Sequence, residues 1–334
     1  MPGSPFGEVV MSNKHSALRL VETRSLGREE WLQVRKGGIG SSDAASAVGL
    51  CPYRSQLELW MEKTGRSPGY QPAALDDPTY WGTQLEPLVA SAYAERTGRK
   101  VRRINAVLQH PTFSFMLANI DREVVGSSDV QILECKTAGE FGSRLWRDGV
   151  PEHVQLQVQH QLAVTGRAAA DVAVLLCGQK LEVHRIDRDD EVIARLVVLE
   201  AEFWEHVLQD TPPRVDGSES AARALRTLYP GAGTTIDLSG STELAQTFAE
   251  LVVLRGQLEE QEARAELLKQ SLQEAMGDAS RATFSGGEVS FKRAKDGAAI
   301  DTKRLAAEHP DIVARYTVPR PGSRRFVITS DPAH

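Results

Sequence analysis

Cysteine is scarce: Cys51, Cys135 and Cys177 are the only three in 334 residues. They lie too far apart for a disulfide framework or a Cys-x-x-Cys metal site, a pattern that fits a reducing cytoplasm. Long apolar runs are absent as well. The longest, VAVLLC from Val172 to Cys177, has the length of a strand and is far too short to span a bilayer. The opening MPGSPFGEVVMSNKHS holds no continuous apolar segment, so no secretory signal is visible and a cytoplasmic protein without a membrane partner is expected. Positive charge is not in excess either. A formal charge of −6 argues against coating nucleic acid through a global field, yet leaves open a local basic groove around a carboxylate site. No internal repeat or low-complexity tract is found. With 41% hydrophobic and 25% charged residues, the chain has the composition of an ordinary globular protein.

The length suits one domain of about 200 residues with an appendage. Residues 1–24 read as a loose lead-in and 25–210 as the core. Residues 211–241, rich in Pro, Gly and Ser, read as a linker or arm, and 242–334 as a long helix with a small α/β tail. Within the core a short helix covers Arg28 to Arg35. Ser41 or Ser42 is a natural N-cap for a small helix carrying Asp43 to Val48. Another helix runs from Ser55 to Gly65, and the proline-containing stretch 66–80, with turn candidates at Gly69-Tyr70 and Asp76-Asp77, is a loop. The apolar spacing of Leu85, Leu88, Val89, Ala92 and Tyr93 predicts a helix over Trp81 to Gly98, with Pro87 in its first turn. Strands are expected over Lys100 to Leu108 and Phe113 to Asp121, then a hairpin over 122–136. Next come a helix from Pro151 to Gly166, two more strands and a helix from Glu191 to Leu208. This order predicts an α/β fold on a mixed central β-sheet flanked by helices. Near-heptad spacing from Leu244 to Met276 predicts the long C-terminal helix, which could join a partner or fold back. A turn at Gly286-Gly287, a helix near Thr302 to Glu308 and a last segment from Ser323 to Ile328 complete the tail.

The chemistry concentrates in ILECKT, Ile132 to Thr137. In a strand, Ile132, Glu134 and Lys136 share one face while Leu133 and Cys135 share the other. Glu134 and Lys136 could therefore be a metal ligand and its catalytic neighbour, or a solvated ion pair. Two further acids arrive in order before them: Glu86 near the start of its helix and Asp121 at a strand end. Phosphodiester hydrolysis needs the phosphate charge offset, which a hard divalent cation on oxygen ligands does while lowering the pKa of a water. A neighbouring lysine can orient that water or stabilise the developing charge.

With Gln157 on the helix that follows, this order resembles the PD-(D/E)xK nuclease superfamily, and within it the phage lambda-type exonuclease and YqaJ-like viral recombinase family. The phrases that carry the resemblance are WLQVRKGGIGSSD from Trp31, LELWMEKTG from Leu57, WGTQLEP from Trp81, NIDR from Asn119, LECKT from Leu133 and QLQVQHQLAVTG from Gln155. The proline of the superfamily name is replaced by Ile120, and His153 and Val154 stand where an aromatic often occurs. The resemblance implies a restriction-endonuclease-like core with a helical C-terminal extension. It implies that Asp121 and Glu134 bind Mg²⁺, with Mn²⁺ as a substitute, that the Cys135 backbone carbonyl is a third ligand and that Glu86 is a further acidic one. Lys136 would be the catalytic lysine and Gln157 its support. Arg35 and Ser42, with Ser41 and Arg54 nearby, would receive the 5′-phosphate of a DNA end. The implied activity is 5′-to-3′ degradation of double-stranded DNA ends, leaving 3′ overhangs. The implied partners are a phage-type single-strand annealing protein and further copies of the chain in a trimeric ring, in a bacterial host cell. An endonuclease on the same fold, or an inactive DNA-end-binding module, are the alternatives.

Other residues carry plainer readings. Asp129, in Gly-Ser-Ser-Asp, is a turn residue, and His153 and His160 are packing or surface groups. Arg99, Lys100, Arg102 and Arg103, with Arg144 and Arg147, could line a DNA track or form solvated faces.

Overall fold

The computed structural model describes residues 16–24, 26–67, 75, 77–231, 233–319, 322 and 324–329. Contacts divide the chain into two units, Met1–Tyr229 and Pro230–His334. Among the described residues no helix is long and apolar enough to cross a membrane.

In the first unit the chain forms β1 (Leu18–Glu22), α1 (Arg28–Lys36) and β2 (Ile39–Gly40). A 3₁₀ turn, Ser41–Asp43, leads into α2 (Ala44–Ala47) and then α3 (Gln56–Lys63) and α4 (Pro78–Thr97). The strands β3 (Lys100–Arg102), β4 (Ala106–Gln109), β5 (Met116–Ala118), β6 (Arg122–Val125) and β7 (Ile132–Ala138) follow. A second 3₁₀ turn, Gly142–Trp146, precedes α5 (Glu152–Thr165). The unit closes with β8 (Ala169–Leu176), β9 (Lys180–Asp187), α6 (Asp190–Leu208) and α7 (Glu219–Leu228).

The main sheet has the order β3-β6-β7-β8-β9, antiparallel except for β7 and β8, which run parallel. Parallel neighbours require a crossover, and α5 supplies it. The expected mixed sheet flanked by helices is therefore what the chain forms. A smaller sheet has the order β1-β4-β5-β2, with β2 and β5 parallel and the other neighbours antiparallel. Because side chains alternate, the main sheet is covered on both faces. Ile132, Val172 and Val174 pack with Val158 and Leu162 of α5. Leu133, Ala169 and Ala173 pack with Val89, Ala90 and Tyr93 of α4. A third cluster joins Leu57, Leu59 and Trp60 of α3 to Phe203 of α6 and Ala224 of α7.

Several expectations are corrected by long-range pairing. The lead-in contains β1, which pairs with β4. The expected strand Lys100 to Leu108 is two strands in different sheets, broken between Arg102 and Ala106. Of Phe113 to Asp121, only Met116–Ala118 is strand. Gly69, Tyr70 and Asp76 of the loop lie outside the described residues. The helix after it starts earlier than Trp81, because Asp77 accepts from Thr79 N–H at 2.8 Å and Pro78 occupies the first turn. Pro87 consequently sits inside the helix rather than in its first turn, and its missing N–H leaves the Thr83 carbonyl without its helical donor. Neither Ser41 nor Ser42 caps α2. The Asp43 carboxylate instead accepts the Gly40 N–H at 3.2 Å, closing the 3₁₀ turn. Inside the expected linker, Ser218 caps α7, which docks on α3.

The second unit holds α8 (Thr242–Met276), the hairpin of β10 (Arg281–Phe284) and β11 (Gly287–Ser290), and α9 (Thr302–Glu308) and α10 (Pro310–Tyr316). No residue of α8 is buried. Residues 324–329 form no strand.

Candidate active site

The strand β7 opens along its length. Ile132 and Leu133 are covered on opposite faces, at about 1.5–3 kcal/mol for each fully buried aliphatic side chain. Further along the Ile132 face Glu134 is 3% exposed, whereas the side chain of Lys136 is 27% exposed. Lys136 Nζ lies 2.7 Å from Glu134 Oε1 and donates to Gln157 Oε1 at 2.8 Å. Gln157 Nε2 donates back to Glu134 Oε1 at 2.5 Å, closing a ring of three side chains. One turn along α5, Gln161 Nε2 donates to Glu134 Oε2 at 2.7 Å. Burial works against the Lys136 ammonium, but the charge and hydrogen bond of Glu134, aided by Asp121, hold its pKa above the ordinary value. It remains a cation.

Asp121 lies in the bend just before β6, and its Oδ2 accepts the Cys135 N–H at 2.8 Å. Burial and the Glu134 charge, with a further push from Glu86, raise the Asp121 carboxyl to about 8. The Cys135 N–H and Lys136 offset only part of this. The Cys135 thiol is itself pushed up by burial and by Asp121 and Glu134, so its sulfur stays protonated. Glu86 is held by Arg122 Nη1 at 2.6 Å, and the same nitrogen donates to the Asp121 carbonyl at 2.6 Å. Arg122, the first residue of β6, thus bridges the Glu86 carboxylate and the Asp121 backbone.

Among the described residues no three His, Cys, Asp or Glu side chains close on one point as a ready ligand set. The donor chemistry nevertheless fits a hard cation. Two carboxylates crowd together with too little positive charge, the donors are oxygens, and the buried Gln161 Oε1 has no hydrogen-bond partner. Asp121 and Glu134 supply the two carboxylates of that oxygen-rich setting.

A second cluster gathers the predicted anion-binding residues around a carboxylate the sequence reading had placed only as part of a helix. Asp43 is fully buried, and Lys63 Nζ donates to its Oδ2 at 2.7 Å. Arg35 and Arg54 donate to its Oδ1 at 3.0 and 2.5 Å. Burial opposes the Asp43 charge, yet Arg35, Lys63 and Arg54 hold its pKa well below the usual range. Arg35 also donates to Ser42 Oγ at 3.0 Å and lies over the Trp31 ring, 5.0 Å from its centroid. Arg54 further binds Glu62 at 2.8 Å. Arg35, Arg54 and Ser42 therefore meet, while Ser41 is buried and makes no hydrogen bond to either arginine.

The 3₁₀ turn carrying Asp43 packs against α5, the helix that also presents Gln157 and Gln161. Tyr53, just before Arg54, meets His153 edge-on at 5.5 Å. Burial and the Lys136 charge lower the His153 pKa. Asp43, Lys63 and Gln161 are the residues sequence reasoning missed. Only Gln161 left a signal there, being four residues after Gln157 and hence on the same side of a helix. Asp129 has the turn role expected of it, accepting from Ser127 Oγ and pairing with Arg99 and Arg185.

The YqaJ-like viral recombinase domain matches residues 30–168. The uncharacterized protein YqaJ of Bacillus subtilis (strain 168) is 35% identical over 308 residues, covering 90% of this chain and 94% of that protein. Among solved structures, the alkaline exonuclease LHK-Exo of Laribacter hongkongensis aligns with a TM-score of 0.45 and 24% identity, covering 55% of this chain and 93% of its own. A phage-related exonuclease of Haemophilus somnus 129PT aligns with a TM-score of 0.40 and 12% identity, covering 52% of this chain and 96% of its own. The match to YqaJ extends over nearly the whole of both chains, and the chain belongs to the family of YqaJ-like viral recombinase domain proteins.

Proposed function

We propose that this protein hydrolyses phosphodiester bonds at the ends of double-stranded DNA, removing the 5′-ended strand and leaving a 3′ overhang for a phage-type single-strand annealing protein. The observation that carries the reading is the ring of Glu134, Lys136 and Gln157 beside Asp121. A Mg²⁺ ion, or Mn²⁺ in its place, held by Asp121, Glu134 and the Cys135 carbonyl would neutralise phosphate charge and acidify water. Lys136 offers a fixed ammonium to the charge that develops on the phosphoryl oxygens. Gln157 holds that ammonium and the Glu134 carboxylate in register, and Gln161 holds the second carboxylate oxygen.

The 5′ polarity rests on Arg35, Arg54 and Ser42, whose guanidinium and hydroxyl donors suit a terminal phosphate. Glu86 takes part through Arg122, biasing Asp121 by its charge. Assembly into a homo-oligomeric ring in the cytoplasm of a bacterial host belongs to the same reading.

Incubation of linear, nicked-circular and closed-circular duplex with Mg²⁺ or EDTA tests it. Loss of linear DNA alone, abolished by EDTA and by Lys136→Ala, is the expected result. Cutting of closed circles would replace the exonuclease with an endonuclease, and end binding without cleavage would remove the chemistry. Slower attack on ends lacking a 5′-phosphate, with the difference erased in Arg35→Ala, tests the polarity.

A further inference from the structure

A cavity of about 570 Å³ lies at the far end of α5 from the candidate active site and is lined by Arg19, Arg24, Arg102, Arg103 and Arg167. Among the described residues only two acids, Glu22 and Glu123, line it with them. This is not a run of charge along one surface. The arginines come from β1, the turn after it, β3 and its C-terminal end, and the turn between α5 and β8, and they converge on one concavity. Glu123 is shared by Arg102 at 2.5 Å and Arg167 at 3.4 Å. Arg19, Arg24 and Arg103 make no ion pair or side-chain hydrogen bond among the described residues. In a chain of net charge −6, gathering uncompensated guanidinium groups around a hollow carries a repulsive cost that an anion would relieve.

The cavity shares a surface with the candidate active site. Arg102 is registered opposite Glu123, and Glu123 opposite Ile132, so these three side chains emerge on one face of the sheet. Ile132 is two residues before Glu134 and on the same face, about 7 Å away along the strand. Ile120, just before Asp121, lines the cavity, as does Thr165, one turn beyond Gln161. From these observations we propose that the cavity binds phosphate groups of an oligoanion, the backbone of a nucleic-acid strand or a free polyphosphate. If the ligand is the strand, this deepens the nuclease reading and rests on it. The site would then grip backbone beyond the bond being cut, independently of the Arg35 and Arg54 cluster. Arginine suits the role because its planar donors match phosphate oxygens bidentately and never deprotonate near neutral pH.

The test is fluorescence anisotropy of labelled single-stranded and duplex oligonucleotides in EDTA, across a salt series, alongside calorimetric titration with inorganic tripolyphosphate. The protein is compared with the double variant Arg24→Gln/Arg103→Gln and with the charge-retaining Arg24→Lys/Arg103→Lys. The expected result is at least tenfold weaker DNA binding by the glutamine variant at low salt. Its salt slope should be shallower by about 1.4, since each lost contact to a single strand removes about 0.7, and the lysine variant should recover the slope. Loss of tripolyphosphate binding with DNA binding intact would assign the site to a free polyphosphate. Unchanged binding in both arms, with unchanged thermal melting, overturns the proposal. Failure of the nuclease reading looks different: wild-type protein would bind DNA but leave linear duplex intact in Mg²⁺.

Discussion

Gln157 stands between Glu134 and Lys136 as donor to the first and acceptor from the second, so the two ends of its amide are not interchangeable. Gln157→Glu would turn an acceptor toward Glu134 where a donor is needed. A drop in kcat of about 10- to 100-fold is expected, the usual effect of removing a group that orients an active-site ligand. KM for linear duplex should change little. A fall in KM-linked affinity with kcat intact would move Gln157 from positioning to DNA binding.

Asp43 is the common partner of three cations, and Lys63 beside it is buried too. Asp43→Asn removes the charge and leaves those cations facing each other, a change that costs about 3–5 kcal/mol when a buried pair is broken. Urea unfolding should report that loss. Because the folded carboxyl titrates well below 3.8, the wild-type contribution is complete above about pH 4 and fades only as pH falls toward the folded value. A wild-type midpoint that already drops between about pH 6 and 4, absent in the variant, would contradict this.

His160 is buried between two acceptors, Glu200 Oε1 at 2.7 Å from Nδ1 and the Leu117 carbonyl at 2.9 Å from Nε2. Both ring nitrogens must donate, which only the imidazolium can do. Burial opposes that charge, but Glu200 and the Leu117 carbonyl outweigh it and raise the pKa above 6.5. The stabilisation is therefore complete below about pH 6.5 and is lost as pH rises through the folded value. The gap in urea midpoint between wild type and His160→Gln should narrow toward high pH. A gap that widens with pH would show the ring to be neutral in the folded protein.

Gly38 sits where no side chain fits. A Cβ there would lie 2.6 Å from the Phe115 carbonyl oxygen and 2.7 Å from Leu117 Cγ. Backbone cannot swing aside as a side chain can, so Gly38→Ala should cost about 1–3 kcal/mol by overpacking. The strain falls on β2, which leads directly into Ser41–Asp43. A lower melting temperature should accompany weaker discrimination for 5′-phosphorylated ends. Full stability in the variant would mean that β2 is free to shift.

Local pattern makes the elements around the ring of Glu134, Lys136 and Gln157 legible in the sequence. Alternation puts Glu134 and Lys136 on one face of β7, and Pro151 with Gly166 frames α5, while the place of Gln157 beside them comes from the family resemblance. What the sequence hid depends on partners distant in the chain. Nothing in Lys100 to Leu108 indicates that β3 and β4 serve different sheets, because the choice is made by β6 and β1. The role of α7 is likewise set elsewhere: Ser220 Oγ meets the Ser55 hydroxyl at 3.0 Å, across a separation of 165 residues. Asp43 looked like one more acid near a helix start. Its importance lies in Lys63, twenty residues later, whose ammonium is buried only because that carboxylate is there.

The middle position of β7 in its sheet has a kinetic consequence. β8 pairs with the strand over its whole length, Ile132 to Ala138, while β6 covers only Ile132 and Leu133, so the amide hydrogens that face β8 cannot reach solvent by fraying from an edge. In heavy water they should be among the slowest to exchange, released by opening of the whole domain rather than by local breathing. The backbone beneath Glu134 and Lys136 would then keep its shape while the side chains above it rearrange.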